Sequence, residues 1–476
     1  MTDQPEIGAA TGVIHHTTGE LRHFPRTPHP PGPGLCCRAS APNGVSSTVE
    51  EVVAVRTNTL RGLAAGITVV VLGAVAAACG GSSSGGSQTS GSAKQTIQFA
   101  ESGLGTEGKQ TEVAIRQFEA ANPNITVKTD VLSSDSTTFL QQLQQRFIAG
   151  SGTPDVIESD VTYPAKFAQA GWIMPLTQFN PDMSKFFSGI TAAGTFDGKT
   201  YAIPWFDNPE GLFYRTDLIK TPPTSPAQVV SDAQQAMKAD PSLKEGLAFE
   251  GDKYEGAITA FLTVDAPFGG KLNPSNINTP GNRAALQWLH DAIYKSHIAP
   301  QAVTGWQEGQ VQQEFTSGHA AFAINYPFVE AVAAAGGPAK GHVGYIPFPA
   351  SSGGSPGSAL GGEMLVINAK SQHAAAAYKL IQFLTSSSVE IARAKATGDP
   401  PALPSAYGAK LYAAAPYFKA VKTLNNYSQP RPVNPNYLQI SSDLQVMLSS
   451  VFANQKQPAS ALSSAASQVK SDASGG

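Results

Sequence analysis

A charge-free apolar segment, Gly62–Ala78, divides this chain of 476 residues into two unlike parts. Arg56 and Arg61 precede the segment, and three alanines end it directly before Cys79. A basic start, an apolar centre and small residues at the end are typical of a signal peptide, which is removed from the mature protein. A folded core is therefore expected only in the part of the chain that follows.

The position of Cys79 predicts how the part of the chain after the signal peptide is attached to the membrane. A cysteine directly after small residues resembles the bacterial lipobox, in which the thiol is acylated and the preceding bond is cut. The resemblance implies a lipoprotein signal peptide at 55–78 and a lipidated, palmitate-bearing Cys79. The protein would then be anchored to the cell membrane on its extracytoplasmic face. The alternative is a short transmembrane anchor, although the apolar run is at the short end for a span.

The segments on either side of the signal peptide are not expected to fold. Residues 1–54 have no periodic apolar pattern, and they are either an over-long translation start or a disordered cytoplasmic tail. Residues 79–95 contain the lipidated cysteine and a Gly/Ser run, Gly80–Lys94, which is typical of a flexible tether.

Composition excludes several classes of function. Only 14% of the residues are charged and the net charge is −3, so no basic field is available for nucleic acid or for an anionic membrane surface. No cysteine follows Cys79, and the nine histidines lack ligand-like spacing. We therefore expect no disulfide, no metal site and no cofactor, with membrane contact through the lipid anchor only.

Strand and helix patterns alternate from Thr96 onward. Thr96–Ala100 alternates as a strand, and Ile125–Val131 is a second strand after a helical pattern. This alternation favours an α/β fold with a mainly parallel sheet, in which ligands bind beyond the carboxyl ends of the strands. Glu107, Asp160 and Asn208 each follow an apparent strand, and we expect ligand contacts in those loops.

Several spaced segments carry a resemblance to a known family. They are, in chain order, FEAANPNITVK, SGTPDVIESD, DGKTYAIPW, FTSGHAAFAINYPF and ALGGEMLVINAKS. Together they resemble the extracellular solute-binding proteins of carbohydrate ABC importers, the relatives of maltose-binding protein. The segments SDVTYPAKFAQAGW, KYEGAITAF and PRPVNPNY are most similar to the trehalose/maltose-binding branch. The likeness covers nearly everything after Thr96.

The resemblance implies the two-lobed, type II periplasmic-binding-protein-like α/β fold, with a ligand cleft between lobes that hinge segments join. Lobe 1 would comprise 96–205 plus 363–427, and lobe 2 would comprise 207–362 plus 428–476. A monomer of this kind closes on a sugar and delivers it to the permease subunits of the importer. It is expected to bind its ligand without acting as an enzyme.

The resemblance also implies a set of ligand contacts. Glu107 and Asp160 would hold sugar hydroxyls from lobe 1, Tyr326 would stand where relatives often have a stacking Trp, and Arg431 would contribute a guanidinium. The full set is Glu107, Asp160, Asn208, Glu255, Tyr326, Gly361, Gly362, Glu363 and Arg431. Glu363 departs from the bulkier apolar or aromatic residue of relatives, so an acidic side chain is expected to face the cleft.

These residue types suit a neutral di- or oligosaccharide. Carboxylates accept hydroxyl hydrogens, amides donate and accept, and aromatic faces such as Trp205, Phe206 or Trp306 cover the apolar face of a sugar ring. A phosphorylated ligand fits poorly, because Arg431 would stand alone against several carboxylates. Local structural roles are also open: Asp160 could cap a helix and Asn208 could build a turn with Pro209.

Two other functions are open on the sequence alone. Glu107 and Asp160 could be the acid and nucleophile of a secreted glycoside hydrolase, since two carboxylates in a sugar cleft are what that reaction needs. A binder of the same fold could instead take another solute, such as a glycerophosphodiester or a different oligosaccharide. The family resemblance is to binders of sugars, and we prefer that interpretation.

Overall fold

The computed structural model describes residues 94–102, 107–133 and 136–475, and for residues 107, 136 and 137 it describes the backbone only. The predicted signal peptide, Cys79 and nearly all of the tether lie outside these residues. Within the described ranges, no helix is both long and apolar enough to cross a membrane.

Strands and helices alternate through most of the described chain. The strands are β1 (Gln95–Ser102), β2 (Ile125–Leu132), β3 (Val156–Asp160), β4 (Thr195–Phe196), β5 (Lys199–Thr200), β6 (Ala202–Pro209), β7 (Gly211–Arg215), β8 (Glu245–Ala248), β9 (Ala320–Asn325), β10 (Val343–Ile346), β11 (Ser358–Ile367) and β12 (Ser428–Gln429). The helices are α1 (Glu107–Ala121), α2 (Ser136–Ile148), α3 (Pro164–Gln169), α4 (Ser188–Ala193), α5 (Pro226–Ala239), α6 (Glu255–Asp265), α7 (Pro280–Tyr294), α8 (Glu308–Thr316), α9 (Phe328–Ala335), α10 (Ala374–Leu384), α11 (Ser387–Thr397), α12 (Ala409–Ala414), α13 (Phe418–Leu424), α14 (Tyr437–Phe452) and α15 (Pro458–Ser474).

Helix starts follow from local sequence. The Ser225 side chain accepts a hydrogen bond from the Gln228 backbone N–H at the start of α5, where Pro226 takes the first helical position. The Thr279 side chain likewise accepts a hydrogen bond from the Asn282 backbone N–H at the start of α7, and a proline again directly follows the cap. A hydroxyl at the cap satisfies a backbone N–H that has no partner within the helix, and proline loses nothing there because its position needs no N–H.

The first sheet has the strand order β12-β11-β3-β1-β2, with β6 paired to β11. Strand β1 runs parallel to β2 and β3, whereas β11 runs antiparallel to both β3 and β6. Strand β12 is also parallel to β11, so the prediction of a mainly parallel sheet holds for three of the five strand pairs of this sheet. The two antiparallel pairs both involve β11, which returns from the second half of the chain in the opposite direction.

The second sheet has the order β10-β7-β9-β8. Strands β8 and β9 are parallel, and β7 is antiparallel to β9 and to β10. The chain passes from the first sheet to the second where β6 leads into β7, and it returns along β11. The predicted lobe borders at 205/207 and 362/363 fall inside β6 and β11, the two strands that pair with each other.

Two buried apolar clusters form the core. The first includes Phe99 and Leu365 of the first sheet and continues onto one face of the second sheet, where it includes Phe213 and Ala323. The second packs α6, α7, α14 and α15 on the second sheet, with Leu448 fully buried. Burial of one large apolar side chain stabilises the fold by roughly 1.5–3 kcal/mol. The second sheet is therefore packed on both faces, and the first cluster joins it to the first sheet.

Candidate functional site

Polar residues gather where strands of the second sheet end. Strands β8 and β9 are parallel and end at the same edge, so Glu250 and Tyr326, which follow them, lie at that edge. Gly211 at the start of β7 pairs with Asn325 at the end of β9, which places Glu210 there as well. This arrangement is the one in which open α/β sheets bind ligands.

Arg431 connects this edge to the first sheet. Its Nη2 lies 3.6 Å from Oδ1 of Asp160, the last residue of β3, and its Nη1 donates to Oε1 of Glu255 over 2.9 Å. Arg431 is 7% exposed. Burial lowers the pKa of its guanidinium, but the carboxylates of Asp160 and Glu255 more than offset this and raise it well above the usual value. The side chain is therefore a permanent cation between two carboxylates.

Glu255 is also fixed from the C-terminal side of the chain. The hydroxyl groups of Tyr437 and Ser441, both on α14, donate to its two carboxylate oxygens. With Arg431, three donors hold this carboxylate at the first turn of α6. Charge-assisted bonds of this kind are stronger than neutral ones, so Glu255 is a rigid part of the site.

Asp160 makes a local turn as well as the contact with Arg431. Its Oδ1 accepts from the backbone N–H and the hydroxyl of Thr162, over 2.8 and 2.5 Å. Helix α3 starts later, at Pro164, and its N-terminal cap is Tyr163. Asp160 is therefore not the cap of this helix, and its side chain retains 26% exposure at the end of β3.

The predicted glycines lie inside a strand. Gly361 and Gly362 are in β11 and pair with Asn208 and Asp207 of β6. Gly362 has φ of +114°, and a Cβ there would lie 2.3 Å from the Phe206 carbonyl oxygen, so only glycine permits this close pairing. The prediction of a loop at Asn208 was wrong, because β6 continues through that residue to pair with β11.

Tyr326 and Glu363 lie on either side of this strand pair. A Cβ added to Gly361 would be 3.0 Å from Cε1 of Tyr326, which shows that the ring packs beside the β11 backbone. Glu363 pairs in register with Asp160 across β11 and β3, and it is half-buried. The structure thus brings Asp160, Glu255 and Arg431 into contact and sets Tyr326 and Glu363 beside β11.

Glu107 is the one predicted site residue whose side chain lies outside the described atoms. Its backbone forms the first position of α1, rather than the loop expected from the sequence.

Two of the aromatic residues expected to stack on a sugar ring are buried and contact an arginine instead. Trp205 and Phe206 are 2% and 6% exposed. The guanidinium carbon of Arg393 lies 4.1 Å and 4.4 Å from the centres of their rings, and Arg393 pairs with Asp399 over 3.0 Å. The expectation for these two rings was wrong, because a buried cation is stacked on them.

Sequence reasoning missed three acidic residues at the second-sheet edge. Glu210 and Glu250 are fully buried, and Glu308 begins α8. Thr259 and Thr263 donate to Glu210, whose pKa burial raises to about 8. Burial, followed by the charges of Glu210 and Glu308, raises the pKa of Glu250 well above its usual value. A glutamate inside the apolar segments PEGLF and LAFEG was the available signal.

Comparisons with known proteins identify relatives of this chain. A curated relative from Deinococcus radiodurans, described as a probable ABC transporter-binding protein, is 30% identical over 365 residues, which cover 72% of this chain and 86% of the relative. The solved structure of maltose-bound T. maritima MalE3 is 29% identical, covers 79% of this chain and 99% of its own, and has a TM-score of 0.71.

A second solved structure, the GacH receptor of Streptomyces glaucescens GLA.O, is 22% identical and shares the fold, with a TM-score of 0.69 over 80% of this chain and 99% of its own. These neighbours have the two-lobed, type II periplasmic-binding-protein-like architecture. The family model for bacterial extracellular solute-binding proteins matches residues 102–391. The chain belongs to the bacterial extracellular solute-binding protein family.

Proposed function

We propose that this protein captures a di- or oligosaccharide of the trehalose or maltose type and delivers it to an ABC permease. The observation that carries the proposal is the position of Arg431, which joins Asp160 on the first sheet to Glu255 beside the second. Side chains beside two different sheets therefore meet at one place. A ligand that contacts both edges would favour the closed arrangement of the two lobes.

The charges at this place argue against an anionic ligand. Arg431 is already in contact with the carboxylates of Asp160 and Glu255, and Glu363 lies beside Asp160 on the neighbouring strand. A phosphate group would meet more negative charge than positive charge there. We therefore prefer a saccharide without an anionic group to a glycerophosphodiester.

The lobe division proposed from the sequence, 96–205 plus 363–427 and 207–362 plus 428–476, makes the β6–β11 pair the hinge. Paired strands are suited to this role, because a small twist along their length rotates one lobe against the other while the hydrogen bonds are kept. We propose that Asp160 and Glu107 contact the sugar from lobe 1 and that Tyr326, Gly361, Gly362 and Asn208 contact it beside the hinge.

Titration calorimetry and X-ray scattering on the purified protein test this function. Trehalose, maltose and sucrose are the candidate ligands, and glycerol 3-phosphate is the anionic control. We expect at least one disaccharide to release heat and to reduce the radius of gyration, and we expect no response to the control. Flat titrations across a broad panel of saccharides would overturn the proposal. Monosaccharide products after prolonged incubation would instead support the glycoside hydrolase alternative.

The lipid anchor is proposed from the sequence alone, through the signal peptide at 55–78 and the acylation of Cys79. Metabolic labelling with a radioactive or clickable palmitate should mark the full-length protein in membranes, and Cys79→Ser should abolish the label. Equal labelling of both proteins would contradict lipidation at this residue. The same experiment reports whether the protein stays as a membrane-attached monomer or is released.

A further inference from the structure

Three glutamates that the proposed sugar contacts do not use share one edge of the second sheet. Glu210 directly precedes β7, and Glu250 follows the end of β8 by two residues. The Glu308 carbonyl oxygen accepts from Nδ2 of Asn325, the last residue of β9, over 2.9 Å, which brings the start of α8 to the same edge. We name Glu210, Glu250 and Glu308 the acidic edge.

Arg431 is the cation nearest to the acidic edge, but it forms its direct contacts with other residues. Arg431 faces Glu210 and Glu308 electrostatically, but its direct contacts are with Asp160 and Glu255. In the part of the chain that the structure describes, no lysine, arginine or histidine forms an ion pair with a member of the acidic edge. The site therefore has an excess of carboxyl groups over cations.

Glu250 is the member that points to a missing partner. It is 0% exposed, and neither of its carboxyl oxygens has a hydrogen-bond partner among the described residues. Glu210 is equally buried, yet Thr259 and Thr263 each donate to one of its oxygens. Native proteins rarely leave a buried polar group unpaired, because the lost bonds to water are not replaced. A ligand donor that reaches Glu250 would replace them.

We propose that the saccharide carries a basic nitrogen and that Glu250 binds its ammonium group, with the carboxyl groups of Glu210 and Glu308 beside it. The inference rests on the proposed function and replaces the neutral ligand expected from the sequence with an amino sugar. An ammonium group brings a full charge and several N–H donors, which is what a buried, unpaired carboxylate requires. An uncharged hydroxyl would be bound as well by an amide, without the cost of ionising a buried acid.

The groups around Glu250 predict that the affinity for an amine depends on pH. Glu210 from the β7 side, Glu308 from α8 and Tyr254 from the segment before α6 face it, and none of them is a cation. Burial raises the pKa of Glu250 well above its usual value, which favours the protonated form in the free protein. An ammonium group favours the ionised form, so amine binding releases this proton. Affinity for the amine should rise with pH until the amine loses its own proton.

Matched ligand pairs test the proposal by calorimetry. One set is trehalose with 2-amino-2-deoxytrehalose, and the other is cellobiose with chitobiose and N,N′-diacetylchitobiose, whose acetylated nitrogens are uncharged. At pH 7, we expect at least one free amine to bind tenfold or more tightly than its uncharged counterpart. Titrations in phosphate and in Tris should differ in heat by the amount that corresponds to proton release.

Two variants assign the effect to Glu250. Glu250→Gln should abolish the preference for the amine and the proton release. Glu245→Gln is the matched control, because Glu245 begins the same strand, is 4% exposed and has its pKa raised to about 7 by burial, but lies at the opposite end of β8. The control should keep the preference of the unmodified protein.

The outcomes separate this inference from the proposed function. Tight binding of uncharged saccharides without any gain from an amine would overturn the inference and leave the proposed function standing. Failure of all saccharides to bind would overturn the proposed function. An amine preference that persists in Glu250→Gln, shown to be folded by circular dichroism, would overturn the role of Glu250. The buffer comparison on the unmodified protein remains decisive if that variant does not fold.

Discussion

Arg431 and Glu255 are 176 positions apart in the chain, yet Nη1 of Arg431 donates to the carboxylate of Glu255 over 2.9 Å. The arginine precedes α14, and the glutamate begins α6 on the second sheet. Loss of one partner from a buried ion pair is costly, because the other charge remains without water and without a counter-ion. Arg431 therefore stabilises the fold and shapes the site at once.

Arg431→Ala should lower the free energy of unfolding by about 2–3 kcal/mol, somewhat less than for a fully buried pair, because Asp160 and Glu255 keep 26% and 34% side-chain exposure. Urea unfolding measures the change. Arg116→Ala is the control: Arg116 and Glu112 form a surface pair with more than 60% exposure of each side chain, and its loss should cost less than about 0.5 kcal/mol. Similar losses in both variants would contradict the buried role of Arg431.

Asp160→Ala should weaken sugar binding about tenfold or more, since it removes a charged acceptor at the end of β3. The same change also removes the acceptor for the backbone N–H of Thr162. Thr162→Val separates the two effects, because it keeps the carboxylate and the backbone bond and loses only the hydroxyl. Calorimetry should show affinity within about twofold for this control. Unchanged affinity in Asp160→Ala would remove Asp160 from the site.

Gly362→Ala should destabilise the β6–β11 pair by about 3 kcal/mol or more. Its φ is +114°, and the added Cβ would lie 2.3 Å from a backbone oxygen of Phe206. Gly198→Ala is the matched control, because Gly198 also has a positive φ, of +69°, but has open space around its Cβ position. That variant should cost about 1 kcal/mol in urea unfolding. Equal costs would show that backbone conformation, and not close packing, selects glycine at 362.

Asp265→Asn should change the pH dependence of stability. Burial raises the pKa of Asp265 to about 8 in the folded protein, whereas an aspartate in an unfolded chain titrates near pH 4. Between these values the unfolded chain releases a proton that the folded protein keeps, so this residue makes stability fall as pH rises from about 4 to 8. Asparagine does not titrate. The variant should match the original at pH 4 and exceed it by about 5 kcal/mol at pH 8, because each unit of pKa difference corresponds to about 1.4 kcal/mol.

Urea unfolding at these two pH values measures the difference for Asp265→Asn. Parallel stability profiles for the two proteins would contradict the raised pKa of Asp265. A lower free energy of unfolding for the variant at both pH values would indicate instead that the amide nitrogen of asparagine finds no acceptor near the end of α6.

Local patterns predicted individual elements well. A strand was expected at Thr96–Ala100 and the structure has β1 there, and the strand expected at Ile125–Val131 is β2. Strand direction was not predictable in the same way. The apolar pattern of β11 is the same whichever way the strand runs, and its partners β3 and β6 lie about 150 or more residues away in the chain. Pairing over such separations is set by the complete fold.

The candidate site was predicted as a set of residues, chiefly through family resemblance. Asp160, Tyr326 and Arg431 lie where the two sheets approach, as a shared site requires, although their contacts with a ligand remain a prediction. The internal ion pair between Arg431 and Glu255 could not be foreseen, because no local pattern encodes a partner so far along the chain. Glu250 was missed for a related reason: a glutamate two residues after a strand resembles an ordinary surface acid until its burial is known.

The order in which the chain is synthesised has a consequence for the second lobe. Its sheet strands and helices α6 and α7 emerge from the ribosome long before α14, which supplies the buried Ile440, Leu444 and Leu448 to the same core. Until α14 arrives, an apolar surface and the carboxylate of Glu255 have no cover. A chain that ends before residue 437 therefore exposes this apolar surface to chaperones, and it should be more sensitive to proteases than the full-length protein.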